Sequence, residues 1–425
     1  MNKIYTIIFL FLASGAFAQD YPVKVLDEKE VDFLFNYYEQ DGNHSPVTGG
    51  IGSEKLECLT PLTIVNVPFD TVNSLSVSVG LDYYTSASCD QIDRFITAAS
   101  SKYLSSASSK DMRTHFDATY SRKNMAGTSD KGVMIGFSNE FDVNSFSGGL
   151  HYNISSRDEN RQLGLKATAF YDVWKLIYPG EYRNGDEFRY GNDEDDYDKD
   201  SRLTSTFTAT WSQVLTRNLQ FLITADVVLQ RGILNSPFHR VYFDDGYNVL
   251  NPDTNWWLVA KTMRPESLPR SRFKIPIGLR VNYYLSDRIT LRLYYRYYFD
   301  DFAIQSHTFS VEVPVKINSW LSVYPMWRYH EQTAAKYFAP FGEHPLNALW
   351  EPAEEYYTSD YDLSELINRK YGGGFRISPV YGIHKWKLKK DNSIVFKTIE
   401  ARYATYKRSD GLKAESVSIN FGFVF

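Results

Sequence analysis

Apolar side chains in this sequence recur at every second position through segments of about 10 to 15 residues, and no helical period is sustained for three turns. The clearest segment runs from Arg288 to Phe299. Ile289, Leu291, Leu293, Tyr295, Tyr297 and Phe299 fall on one face of it, and Thr290, Arg292, Tyr294, Arg296 and Tyr298 on the other. Phe273 to Leu285 repeats the pattern, with Ile275, Ile277, Leu279 and Val281 opposite Lys274 and Arg280; so does His307 to Ile317, with Phe309, Val311, Val313 and Val315 opposite Ser310, Glu312 and Lys316. Strands this long, apolar on one face and polar on the other, suit a wall between lipid and water. The strands of a soluble sandwich run to about five or six residues.

Connection length alternates as well. Short links fall near 70–74, 122–131, 156–161, 216–218, 286–287, 318–319 and 384–392, and long or variable ones near 39–60, 86–110, 177–201, 232–271 and 332–369. Tight turns at 142–144, 301–303 and 408–410 join the second set. Short turns at one end and longer loops at the other mark a transmembrane barrel. The links divide the chain into strands at 31–38, 61–68, 75–85, 111–121, 132–141, 145–155, 162–176, 202–215, 219–231, 272–285, 288–300, 304–317, 320–331, 370–382, 393–407 and 411–425. The fold class is therefore all-β, an antiparallel barrel of about sixteen strands, with fourteen the alternative if 31–38 and 370–382 drop out. An even count returns both termini to the periplasmic side. The last segment alternates Val417, Ile419, Phe421, Phe423 and Phe425 with small or polar residues, and Tyr and Trp gather at strand ends as interfacial girdles do.

Composition narrows the function classes. Lys plus Arg number 46 against 51 Asp plus Glu, a net charge of -5, which lacks the basic excess of a nucleic-acid binder. Mean hydropathy is -0.38, and no mature stretch reaches the roughly 18 apolar residues of a membrane helix. Residues 1–18 carry Lys3, an apolar run from Tyr5 to Ala13 and small residues at Ala16 and Ala18, which predicts a signal peptide cleaved before Gln19 and a single barrel domain over 19–425. Cys58 and Cys89 lie beyond the open ends of the hairpin 61–68/75–85, on the same side, where an exported protein would either join them in a disulfide or leave two small unpaired side chains.

Four stretches, Asp32 to Gly42 (DFLFNYYEQDG), His44 to Leu56 (HSPVTGGIGSEKL), Asp82 to Asp90 (DYYTSASCD) and Ser105 to Arg113 (SSASSKDMR), together with the closing NFGFVF, resemble a family of Gram-negative outer-membrane barrels catalogued as a domain of unknown function. The terminal Phe425 strand likewise resembles the signal read by the β-barrel assembly machinery. The family resemblance implies no settled activity; its members look often to be encoded beside periplasmic flavin-transfer and thioredoxin-like proteins, which implies an envelope redox association and nothing firmer.

Motifs for chemistry are sparse. Thr48-Gly49-Gly50-Ile51-Gly52 lacks the following helix and Gly-Lys-Ser/Thr ending of a phosphate loop and reads as a tight turn. With Ser105, Ser106, Ser108, Lys110, Asp111 and Arg113 it is expected to line the barrel mouth, fold inward as a plug, or serve as plain loop scaffold. Asp196, Asp198 and Asp200 alternate within an acidic loop. They lack the Gly and distal Glu of a complete calcium loop, so an acidic surface bridged by divalent ions to lipopolysaccharide is favoured over a structural Ca²⁺. His44, His330 and His344 stand beside acidic loops, but no zinc or serine hydrolase motif accompanies them, and neither an enzyme nor a resident cofactor is expected. A lumen of mixed charge is expected from Asp226, Lys274, Arg280, Arg292, Arg296, Glu312, Lys316, Arg328 and His330. The leading expectation is an open or gated pore for small polar solutes. The alternatives are a scaffold for an envelope redox partner and a surface enzyme at the mouth.

Overall fold

A computed structural model describes residues 28–85, 110–179, 182, 197–245, 262–388 and 393–425; the expected signal peptide over residues 1–18 lies outside them. Each alternating segment forms a strand. In chain order they are β1 (Glu30–Asp41), β2 (Leu56–Pro68), β3 (Asn73–Thr85), β4 (Lys110–Lys123), β5 (Ser129–Asn139), β6 (Val143–Ser155), β7 (Arg161–Lys175) and β8 (Lys199–Thr216). There follow β9 (Leu219–Gly232), β10 (Ser271–Tyr284), β11 (Thr290–Asp300), β12 (Gln305–Glu312), β13 (Met326–Gln332), β14 (Leu366–Ile377), β15 (Ser393–Arg408) and β16 (Lys413–Val424). Every neighbour pairs antiparallel, and β16 returns to β1 in unbroken register from Glu30↔Val424 to Asp41↔Lys413. The sheet is a closed sixteen-stranded barrel. Closure removes the free edges that would otherwise template aggregation.

One face carries the exposed apolar side chains, among them Phe35, Leu59, Val79, Ile135, Leu150 and Phe207. In water such a belt would drive association; in lipid it is the favourable surface. The polar set faces the lumen. Arg402 Nη1 on β15 meets Glu312 Oε2 on β12 at 3.0 Å across two intervening strands, a contact available only on the concave side. Facing persists from β1 to β6, because register carries Phe33 of β1 to Thr63, then Val79, Phe116, Phe137 and Phe146 without a slip of one residue. At the closing seam Phe33 packs on Phe423 at 5.7 Å and Phe35 on Phe421 at 6.3 Å between ring centres.

Three differences from the sequence reading have plain causes. β2 begins at Leu56 rather than 61, so Cys58 sits inside the strand opposite Tyr38 and Tyr84; Pro61 does not delay it, because the register with β3 passes over that position. The expected strands 304–317 and 320–331 are each interrupted, leaving the short pieces Val315–Lys316 and Leu321–Val323. Pro314 and Pro325 remove ladder donors there, and Val313 N–H donates across to the Pro325 carbonyl at 3.0 Å. Lys110, placed in the 86–110 link, belongs with Asp111 and Arg113 of the expected strand 111–121 to the outer end of β4.

Candidate functional site

Two structures define the interior: a lumen wall divided by charge, and a folded cap of outer loops. On β10 to β15 the inward positions include Lys274, Arg280, Arg292, Arg296, Arg328, Lys370, Arg376 and Arg402, opposed by Asp300, Glu312 and Glu400. On β1 to β9 the balance reverses. Glu30, Asp32, Asp82, Asp111, Asp117, Asp130, Asp172, Asp200 and Asp226 share the inward set with Arg113, Lys123, Lys166 and Arg202. The two halves of the ring therefore face each other with opposite sign, which sets a field across the lumen.

Several inward charges are tied to the wall. Arg292 Nη1 holds Glu312 at 2.7 Å, and Arg402 bridges Glu312 and Glu400, the latter at 2.6 Å. Thr208 Oγ1 donates to Asp226 at 2.6 Å, His330 Nδ1 lies 2.8 Å from Thr308 Oγ1, and Arg272 is paired with Asp300. Arg280, Arg296, Arg328 and Lys370 make no ion pair among the described residues. Register lines Arg280, Tyr294, Ser310, Arg328 and Lys370 along one row of the sheet. Lys316 follows in the same inward parity at the short-turn end, opposite Ser322. On the acidic side, inward glycines make room for flat-lying neighbours. The His115 ring occupies the place of a Cβ at Gly80, and the His151 ring that at Gly132, with His151 Nε2 reaching Asp130 at 3.1 Å.

At the long-loop end, buried apolar side chains gather in the loops, not in the barrel wall. Leu268, Phe302, Ile304 and Ala335 form a core that packs against the inward-facing Tyr298, so this core is seated in the mouth. Residues 42–55, 233–245, 262–270 and 333–365 interlock around it through bridges such as Ser267↔Tyr357 and Phe338↔Thr358. Inward residues of the wall hold it from below: Gln40 Nε2 donates to Glu54 O at 2.9 Å, Gln332 Nε2 to Ser364 O at 2.8 Å, and Arg408 pairs with Asp362 and Asp410.

The glycine turn of the sequence reading lies in this cap. Thr48 Oγ1 donates to the Ile51 carbonyl, Gly52 bridges His44, and Gly49 and Gly50 have φ of 80° and 89°. A Cβ on Gly50 would come within 2.7 Å of the Ser359 carbonyl, so the turn is pressed against the loop 333–365. Ser105, Ser106 and Ser108 lie outside the described residues, as do Cys89 and Asp196. Of the remaining acidic-loop positions, Asp200 is gripped at both oxygens by Arg270, at 2.7 and 3.0 Å.

His44, His330 and His344 are not brought together. His44 stacks on Tyr361 at 3.8 Å, and the buried His344 has Nε2 at 2.9 Å from the Thr358 carbonyl; both are cap residues, whereas His330 belongs to the lumen. A cluster absent from the sequence reading is His239, Glu266 and Asp360, in which one side-chain donor from each lies within 4.8 Å of the others. Burial pushes Asp360 up, countered by His239 and reinforced by Asp362 and Glu266, to about 6. Burial alone would lower His239, but the Glu266 carboxylate outweighs it and the net shift is upward. No local motif announces this trio, because its members are separated by 27 and 94 positions in the chain.

A closed antiparallel barrel with an apolar outer belt, a charged lumen and long loops at one end is of the outer-membrane class. The chain belongs to the family described as Protein of unknown function (DUF3570), which matches residues 18–392. No curated protein matches it. Among solved structures it is similar to a Pseudomonas aeruginosa FadL homologue, with 10% identity, TM-score 0.35, and coverage of 95% of this chain and 94% of that one. It is similar to Pseudomonas aeruginosa OpdK with vanillate, at 7% identity, TM-score 0.38, and 94% and 100% coverage. It is also similar to the siderophore receptor PirA from Acinetobacter baumannii, at 10% identity and TM-score 0.43; it covers 53% of that chain and so spans about half its length.

Proposed function

We propose that this protein is a gated outer-membrane pore for small polar solutes, with anions favoured along the basic wall. The observation that carries the reading is the charge division of the lumen, in which Arg280, Arg296, Arg328 and Lys370 stand without ion-pair partners among the described residues, opposite an acidic half. Sixteen-stranded barrels are wide enough for an aqueous channel. A structural wall alone gains nothing from unpaired cations, whereas a permeating anion exchanges part of its hydration for them. The cap seated against Tyr298 supplies the gate. The reading is non-enzymatic: it needs no cofactor, and its expected contacts are lipid, lipopolysaccharide and the assembly machinery that reads the Phe425 strand.

Reconstitution in planar bilayers under a KCl gradient tests it. Discrete ohmic steps with an anion-selective reversal potential are expected. Absence of steps in correctly folded protein would overturn the pore and favour the second reading, a scaffold for a periplasmic redox partner, which the packed cap at the mouth would also suit.

A further inference from the structure

The His239, Glu266 and Asp360 cluster lies in the cap and takes no part in the conduction pathway just described. Glu266 is 3% exposed in its side chain, and its carboxylate accepts from Ser236 N–H at 2.7 Å and from the Thr358 hydroxyl. Asp360 accepts from Asp362 N–H at 2.9 Å. His239 Nδ1 is buried, has no hydrogen-bond partner, and stands 3.8 Å from Glu266 Oε2, beyond hydrogen-bond reach. Burying a nitrogen with its lone pair or proton unmet is costly, and so is holding the buried Glu266 carboxylate beside the half-buried Asp360 unless a cation sits between them. Arg408, in the wall below the cap, is already held by Asp362 and Asp410.

We propose that His239 Nδ1, Glu266 and Asp360 bind one first-row divalent cation, of the Zn²⁺ or Mn²⁺ class, which fastens the loop containing His239 and Glu266 to the loop containing Asp360. One imidazole and two carboxylates suit these ions, whereas Ca²⁺ takes about six to eight oxygens. A dication with neutral His239 balances the two carboxylates. Donors each about 2.1 Å from one tetrahedral ion lie about 3.4 Å apart, so a pair standing at the 4.8 Å limit would close by about 1.4 Å. The outer supports are already in place. Thr358, fully buried, bonds Glu266, and the Glu266 N–H donates to the His239 carbonyl at 3.0 Å, which keeps these two ligands in one frame.

The test uses untagged full-length protein in detergent, stripped with EDTA and then titrated with Zn²⁺ or Mn²⁺. About one equivalent per chain is expected to survive gel filtration, with affinity lowered at least roughly 10- to 100-fold in His239→Ala and Asp360→Asn and by a similar factor in Thr358→Val. Heat-modifiable gel mobility shows that each variant keeps its barrel. Spin-echo spectroscopy of the Mn²⁺-loaded wild type needs no variant and should show one coupled histidine nitrogen. No stoichiometric binding by the wild type, undiminished binding in both ligand variants, or Mn²⁺ without a histidine nitrogen would each overturn the site and leave the trio a plain ion-pair network. None of these outcomes depends on whether the barrel conducts.

Discussion

Neighbouring positions on β11 do opposite work. Leu293 lies in register with Val281 and Val311 on the lipid face, while Arg292 and Arg296 point into the lumen. Leu293→Arg should therefore impair assembly by roughly 2–4 kcal/mol, the cost of a cation at the bilayer midplane. Arg296→Glu should fold normally and shift the reversal potential toward cations. Equal folding defects on semi-native gels would mean that the facing is misassigned. At the outer turn between β5 and β6, burial, then Asp142 and Asp82, push the Glu140 carboxyl from 4.5 to about 7. The folded state thus holds this proton more tightly than the unfolded chain, so Glu140 favours folding below pH 4.5 and progressively less as pH rises to about 7. Glu140→Gln should flatten that slope and melt higher than the wild type at pH 8, with little difference at pH 4; unchanged melting curves at both values would exclude the effect.

At the scale of elements, β16 has two jobs. It pairs along its whole length with both β15 and β1, and the Phe425 backbone bonds Lys29 in both directions, at 2.9 and 3.3 Å. The Phe425 side chain itself remains 46% exposed, so its removal costs little packing in the finished barrel. Deleting it should nevertheless reduce outer-membrane assembly in cells while leaving refolding in detergent nearly unchanged; equal loss in both would point to stability rather than recognition. β2 reaches back to Leu56 and carries Cys58 on the inward face, level with Tyr38 and Tyr84. If Cys58 and Cys89 bond, they close a loop of about 30 residues and stabilise that end by about 3–4 kcal/mol in the chain-entropy model. Thiol labelling of unreduced protein decides the matter, with full labelling at both positions excluding the bridge.

For the molecule as a whole, the wall and the cap are stabilised by different physics. Lipid and strand pairing hold the wall, whereas the cap has a small core of its own in which Phe302 is 1% exposed and lies 4.4 Å from the Arg272 guanidinium. Phe302→Ala should loosen the cap by roughly 3–5 kcal/mol without unfolding the barrel. Conductance should then rise or become noisier and the loops turn protease-sensitive. A barrel that conducts identically before and after would show that the cap does not gate it.

The strand plan was legible in the chain because period-two alternation is a local property. A residue's facing follows from its neighbours two positions away, and the lipid belt, the lumen set from Asp226 to His330 and the even strand number all come from that rule. Two prolines broke it locally, since loss of a donor matters only when the partner strand is known. Tertiary structure alone decided which loops interlock. Gly50 against Ser359, Tyr298 beneath Phe302, and His239 beside Glu266 and Asp360 join loops from separate hairpins. Loop residues have no period to read, and closure of the ring is what carries those loops to the same mouth. The opposed charge of the two lumen halves has the same origin, because the sequence lists the charges in order and only the closed barrel sets one half against the other.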